Sequence, residues 1–329
     1  MRLATLAGKG PDGQLVVVSG DLQRASTVES VAPTLQAALD EWAAVEPALR
    51  RVSERLAVHP GCGVEFDPLA ARAPLPRAWQ WLDASAFPVH GELMARAFGM
   101  KAMSEGRPLM YQGLSDHFLG PAEDVPLPSE ADGIDFEGEY GVIVDAVPMG
   151  VSAQSALAHI RLVVQINDWS LRTIAPLEMR TGFGWLQCKP ACSAAAVAVT
   201  PDELGAAWHD GRVHLPLAID LNGRAFGRAN GGEMEFGFHE LVAHAARTRR
   251  LCAGTIIGSG TIANKDYAKV GSSCISERRM IEAIERGSPE TSFMLFGDRV
   301  RMESRATEGA PLFGCIDQRV VRSSPEPQE

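Results

Sequence analysis

The sequence predicts an α+β fold with a sheet-rich core, on three observations. Helical periodicity is strongest early in the chain. Short apolar runs bounded by turn residues dominate the second half. An Asn222-Gly223 pair between apolar residues 215–221 and 224–226 marks a β-hairpin.

The elements follow in order. Residues 15–19 (Leu-Val-Val-Val-Ser) read as a strand after the Asp12-Gly13 turn. Leu35, Leu39, Trp42, Val45 and Leu49 recur at helical spacing, so 33–57 reads as a helix. The stretch 59–76 contains His59-Pro60-Gly61 and Pro74-Leu75-Pro76 and reads as a linker. It separates a small N-terminal α/β domain, 1–73, from a main domain, 74–322. Within the main domain, helices are expected over 90–103, 152–161 (capped by Ser152), 234–248 and 276–285. Strands are expected over 140–147, 162–168, 253–263, 292–304 and 312–321. Residues 323–329 are polar with two prolines and read as a frayed tail.

Composition narrows the function classes. With 329 residues, 46% of them hydrophobic, the chain can bury a substantial core. No apolar run approaches the ~20 residues of a membrane helix, and the N-terminus lacks the features of a signal peptide. The expectation is a cytoplasmic protein that does not enter membranes. A net charge of −10 without a Lys/Arg cluster argues against nucleic acid as a partner. The six cysteines form no Cys-x-x-Cys pair. Cys188 and Cys192 have a zinc-like spacing but no second pair, so core packing is the simpler reading.

Acidic residues carry the chemistry. In Asp135-Phe136-Glu137-Gly138-Glu139-Tyr140, Glu137 and Glu139 are two apart, immediately before an apolar strand. Side chains at that spacing share one face of a strand. Two like charges on a buried face call for a cation, and oxygen-only ligands suit Mg²⁺, Ca²⁺ or Mn²⁺. The alternative is a solvated edge strand. Asp168 ends the apolar run 162–168, where a strand presents a side chain to a cleft; a helix N-cap is the competing reading. His90 follows Asp83 by seven residues and could supply a base near neutral pH, or be structural. Lys189 follows a glycine-bearing segment and could equally be an exposed loop residue. Gly258-Ser259-Gly260-Thr261 offers backbone N–H groups and a hydroxyl suited to an anion, but it is no P-loop.

Taken together, these residues resemble the fumarylacetoacetate hydrolase superfamily, in the form of a bacterial fumarylacetoacetase-type member. The matching segments run from Asp83 and His90 through Tyr111-Gln112-Gly113, Asp135-Phe136-Glu137-Gly138-Glu139, Asn167-Asp168-Trp169-Ser170-Leu171-Arg172, Lys189 and Gly258-Ser259-Gly260-Thr261 to Glu277. The resemblance implies a mixed β-sandwich roll, a homodimer and a Mg²⁺ or Ca²⁺ ion, with Mn²⁺ as a further option. It implies Asp83, Glu137, Glu139 and Asp168 as metal ligands. It makes His90 the base that activates water, oriented by Glu277, and gives Lys189 the developing negative charge. Tyr111, Thr261 and Arg172 would contact the substrate, a small anionic diketo or 2-oxo acid.

That chemistry is hydrolysis of a carbon–carbon bond, with fumarylacetoacetate or a related acylpyruvate as substrate. The alternative is decarboxylation, hydration or isomerisation of a 2-oxo acid at the same site. The chain departs from fumarylacetoacetase at Ser85, Ala175 and Met179, where that enzyme has Tyr, Gln and Tyr. These departures affect the substrate pocket more than the metal ligands.

Overall fold

Two long apolar strands form the centre of the molecule. Gly138–Val144 and Ile160–Asn167 are buried along almost their whole length. They pair antiparallel, with Val164 opposite Gly141 and Ile166 opposite Glu139. Strands buried on both faces must be covered on both faces, and the rest of the fold does this. The computed structural model describes residues 1–8, 10–89, 91–93 and 106–323.

Among those residues the central pair belongs to an eleven-stranded mixed sheet. On one side Ile256–Gly258 pairs antiparallel with Gly138–Val144 and parallel with Trp81–Ala84, and Met110–Gly113 follows at the edge. On the other side Val197–Val199 pairs with Arg2–Leu6, which continues into Gln14–Val18 and Arg24–Thr27. The N-terminal strands therefore extend the sheet that carries the central pair.

A second, five-stranded sheet has the order Arg224–Asn230, Pro216–Leu221, Arg299–Arg305, Pro311–Arg322, Val125–Leu127. Polar side chains link it to the first sheet. Tyr140 Oη lies 2.7 Å from Ser304 Oγ and 3.2 Å from the Leu215 carbonyl oxygen. The Gln165 amide donates to the Met302 carbonyl at 3.1 Å and accepts from the Ser304 N–H at 2.9 Å. A buried amide satisfied at both ends fixes the relative placement of the two sheets. Phe136, Val142, Leu217 and Phe313 belong to the apolar core around these links. A second apolar cluster joins Leu3, Val17 and Leu162 to Leu35, Leu39, Trp42 and Leu49 of the helices Leu35–Asp40 and Trp42–Val58. Each fully buried side chain of this size contributes about 1.5–3 kcal/mol.

Several elements are shorter than their sequence patterns imply. The helix expected over 33–57 is two helices, broken at Glu41 (φ −123°). Ser152 does cap a helix, its Oγ accepting from Ser155 N at 3.2 Å. That helix covers only Ala153–Ala156, followed by a 3₁₀ turn at Leu157–His159. The chain then enters the central strand, because Ile160, Leu162, Val163 and Val164 bury more apolar surface there than a longer helix would. The strand expected over 253–263 is confined to Ile256–Gly258, since Gly260 turns the backbone to φ +76°. The helix expected over 234–248 spans Phe238–Ala245. Ile275–Arg286 and the Asn222-Gly223 hairpin agree with expectation. The helix over 90–103 and the tail after 323 fall largely outside the described residues. No helix among the described residues is long and apolar enough to cross a membrane.

Candidate active site

Sheet order brings distant carboxylates together. Ile256–Gly258 lies between the strands carrying Asp83 and Glu139, with Gly258 opposite both Asp83 and Gly141. Asp168 follows the neighbouring strand, just past its last residue, Asn167. Oxygen atoms of Asp83, Glu139 and Asp168 consequently lie within 4.8 Å of one another, and all three residues are buried. Gly258 makes room for the cluster. A Cβ on it would come 2.4 Å from Asp83 Oδ1 and 3.0 Å from Glu139 Oε2.

The electrostatics of this cluster are unfavourable without a cation. Glu139 is fully buried, and neither of its carboxylate oxygens accepts a hydrogen bond among the described residues. Asp83 Oδ1 accepts from Gly260 N at 3.1 Å. Burial, then the charge of Asp168, pushes the Asp83 carboxyl well above the usual range. Burial, then the charge of Asp83, does the same for Glu139. Unpaired buried carboxylates cost several kcal/mol each, so this donor set fits a hard divalent ion.

Beside the trio stands a cationic pair. Lys189 Nζ lies 2.6 Å from Asp168 Oδ2 and 3.1 Å from Glu137 Oε1. Burial lowers its pKa, but the charges of Asp168 and Glu137 outweigh that and hold the ammonium protonated. Glu137 Oε1 also accepts from Ser170 Oγ at 2.8 Å and pairs with Arg172 at 2.7 Å, while Oε2 accepts from Thr261 Oγ1 at 2.7 Å. Tyr111 Oη donates to Asp168 Oδ2 at 2.6 Å. Burial and the charge of Asp168 hold that phenol well above its ordinary pKa.

A family model described as "Fumarylacetoacetate (FAA) hydrolase C-terminal" matches residues 81–321, and one described as "Fumarylacetoacetase N-terminal domain 2" matches residues 1–77. The chain belongs to the fumarylacetoacetate hydrolase family. It is 26% identical over 157 residues to a human mitochondrial oxaloacetate tautomerase, covering 47% of this chain and 48% of that protein. It is 28% identical over 157 residues to a Sphingomonas 2,4-didehydro-3-deoxy-L-rhamnonate hydrolase, covering 47% of this chain and 52% of that one. The chain thus spans about half the length of the curated relatives it matches. Among solved structures, maleylpyruvate hydrolase from Sphingobium sp. SYK-6, in complex with manganese(II) ion and pyruvate, shares the fold. Its TM-score is 0.65 at 15% identity, over 98% of this chain and 100% of that one.

Most residues singled out by the resemblance to the fumarylacetoacetate hydrolase family meet in one network. Asp83, Glu139 and Asp168 form the close trio, and Glu137 sits next to it, held by Lys189, Arg172, Ser170 and Thr261. Thr261 and Arg172, expected at the substrate, spend these contacts on Glu137; Arg172 Nε also donates to Asp135 Oδ2 at 2.8 Å. Glu277 is fully buried in the first turn of Ile275–Arg286. His90 lies outside the described residues. The loop Gly258–Thr261, read as suited to an anion, turns its Gly260 N–H and Thr261 hydroxyl to the protein's own Asp83 and Glu137.

Sequence reasoning overlooked three residues. Asp135 accepts from Ile275 N at 2.7 Å and Ser276 N at 2.8 Å, fixing the start of the helix that carries Glu277. It stood inside the quoted acidic motif without a role. Cys192 Sγ lies 2.9 Å from Asp168 Oδ1, so one thiol of the zinc-like Cys188/Cys192 spacing faces a carboxylate, and all six cysteines are free. Trp185 packs on Tyr111. Trp185 and Cys192 flank Lys189 in sequence, but neither carries a local pattern that points to Tyr111 or Asp168.

Proposed function

We propose that this chain is a divalent-metal-dependent hydrolase that cleaves a carbon–carbon bond in a small acidic β-diketone or acylpyruvate, with fumarylacetoacetate among the candidates. One observation carries the reading. Glu139 is buried with no hydrogen-bond donor on either oxygen among the described residues, facing Asp83 and Asp168 beside a protonated Lys189. Residues 74–322 would hold the site, and 1–73 would form the smaller domain.

In this reading Asp83, Glu139 and Asp168 hold the ion, with Glu137 alongside; Mg²⁺, Ca²⁺ and Mn²⁺ all suit such ligands. When bound, the ion supplies Lewis-acid polarisation of the substrate's oxygens. His90 takes a proton from water, and Glu277 orients the imidazole. Hydroxide adds to the carbonyl carbon, and the adjacent carbon–carbon bond breaks. Its electron pair leaves on the neighbouring fragment as an enolate, which is then protonated. Lys189 places a fixed positive charge where that enolate develops. Tyr111 contacts the substrate while its hydroxyl orients Asp168; Thr261 and Arg172 hold Glu137 and contact the substrate from there.

A second reading keeps the site and protonates the enolate without hydrolysis, giving a 2-oxo acid tautomerase, isomerase, hydratase or decarboxylase. The matched relatives favour keeping it, since they include an oxaloacetate tautomerase as well as a hydrolase. The deciding experiment is a panel of β-diketo acids and 2-oxo acids with Mg²⁺ or Mn²⁺, following diketone absorbance, keto–enol exchange of oxaloacetate and CO₂ release. Loss of diketone absorbance is expected. Keto–enol exchange alone would favour the second reading, and no change with any acid would defeat both. His90→Ala should abolish turnover while metal affinity by calorimetry is retained.

A further inference from the structure

The segment between Asp168 and Lys189 brings into the site an aromatic side chain that the chemistry above does not use. After the helix Ala175–Thr181 the chain loops back on itself. The Glu178 carboxylate accepts from the backbone N–H groups of Leu186, Gln187 and Cys188 at 3.0, 2.8 and 3.1 Å. Leu171 N donates to the Cys188 carbonyl at 2.8 Å. The loop is thus a strap pinned where it returns. Phe183 and Leu186 on it point outward, 98% and 79% exposed. Trp185, partly buried, points the other way. Its ring centroid lies 4.8 Å from that of Tyr111 at an interplanar angle of 64°. Lys189 Nζ lies 5.6 Å from the Trp185 ring and 5.3 Å from the Tyr111 ring.

We propose that Trp185 is a specificity-determining residue: with Tyr111 it forms an aromatic wall beside Lys189 that favours 2-oxo acids with a flat, conjugated chain over those with a saturated one. The inference rests on the function proposed above. A conjugated chain can lie flat against the indole, whereas a staggered saturated chain loses that contact. An aromatic face alone repels negative charge. Here the Lys189 ammonium stands close to both rings, so delocalised negative charge beside the wall is compensated. A bland alternative is that Trp185 merely covers the edge of the core. In that case any large apolar residue would serve, and substrate discrimination would not depend on it.

The test uses the full chain loaded with Mg²⁺ and two acids of equal length, but-2-enoylpyruvate and butanoylpyruvate. Trp185→Leu should lower the ratio of kcat/KM for the unsaturated over the saturated acid by about tenfold, the effect of one aromatic contact. Trp185→Phe should largely restore the ratio. An equal loss for both acids would overturn the proposal. A second readout is the fluorescence of wild type minus Trp185→Phe, which should be quenched by but-2-enoylpyruvate. An unchanged difference spectrum would likewise overturn it. If the wild type cleaves neither acid, the proposed reaction fails, and the fluorescence arm still decides the role of Trp185.

Discussion

The ammonium of Lys189 lies 2.6 Å from Oδ2 of Asp168, in a place where Lys189 is 7% exposed and Asp168 fully buried. Breaking a buried pair by removing one partner leaves an uncompensated charge and costs about 3–5 kcal/mol. Lys189→Met should therefore destabilise the metal-free protein by that amount in urea unfolding. Lys189→Arg should not restore it, because a planar guanidinium cannot occupy the position of an ammonium shared between Asp168 and Glu137. An unchanged urea midpoint for Lys189→Met would contradict the buried pair.

Glu139→Gln should move two quantities in opposite directions. It removes a buried carboxyl that has no hydrogen-bond donor among the described residues and whose ionisation is opposed by burial and by the charges of Asp83 and Asp168. The metal-free protein should gain about 1–3 kcal/mol near pH 8. Affinity for Mg²⁺ or Mn²⁺, measured by calorimetry, should fall at least about tenfold, or about 1.4 kcal/mol. A variant that lost stability and kept its metal affinity would show that Glu139 is structural.

Gly258→Ala tests how far the close packing at Gly258 sets the position of Asp83. The added methyl group would stand 2.4 Å from both Asp83 Oδ1 and Trp81 Cη2, closer than real contacts allow, so Asp83, Trp81 or the strand must shift. The expected result is a fall in metal affinity of about tenfold or more, with the β content unchanged by circular dichroism. Retained affinity would show that Trp81 or the strand gives way and that Gly258 does not set the ligand geometry.

The Glu178 strap gives a pH dependence with a defined sign. Burial pushes the Glu178 carboxyl upward, but hydrogen bonds from Cys188 and from the amides of Leu186, Gln187 and Cys188 prevail and bring it to about 2, against an ordinary 4.5. A carboxyl whose pKa is depressed in the folded state contributes stability above its unfolded pKa and loses it as pH falls through the folded one. The difference in stability between wild type and Glu178→Gln should therefore be full above pH 4.5 and close as pH falls toward 2. Denaturant midpoints of both proteins across that range are the measurement. A difference that stayed constant with pH would show that the carboxylate is not what pins the strap.

Local chemistry made part of this legible. Glu139 was readable because i, i+2 alternation ahead of an apolar strand puts an acid on a buried face, and Asp168 because it follows the last residue of an apolar run. Ser152 and the Asn222-Gly223 turn were readable because caps and hairpins are decided within a few residues. Element lengths were less so. Residues 157–161 look helical in isolation, yet become a 3₁₀ turn and a strand start, because burial against Gly138–Val144 outweighs local propensity.

Sequence alone determined the α+β class from residue type and short-range spacing, and the family from the order of motifs between Asp83 and Glu277. The tertiary structure decided how Asp83, Glu137, Glu139 and Asp168 divide. Asp83 joins Glu139 and Asp168 because Ile256–Gly258 lies between their strands, and the missing side chain of Gly258 leaves space beside Asp83 and Glu139. Glu137 falls to Lys189, Arg172 and Thr261, and Trp185 reaches Tyr111, through contacts between segments far apart in the chain. A strand's period states which residues share a face, but not what that face meets; strand order sets this, and strand order follows from burying the whole core at once.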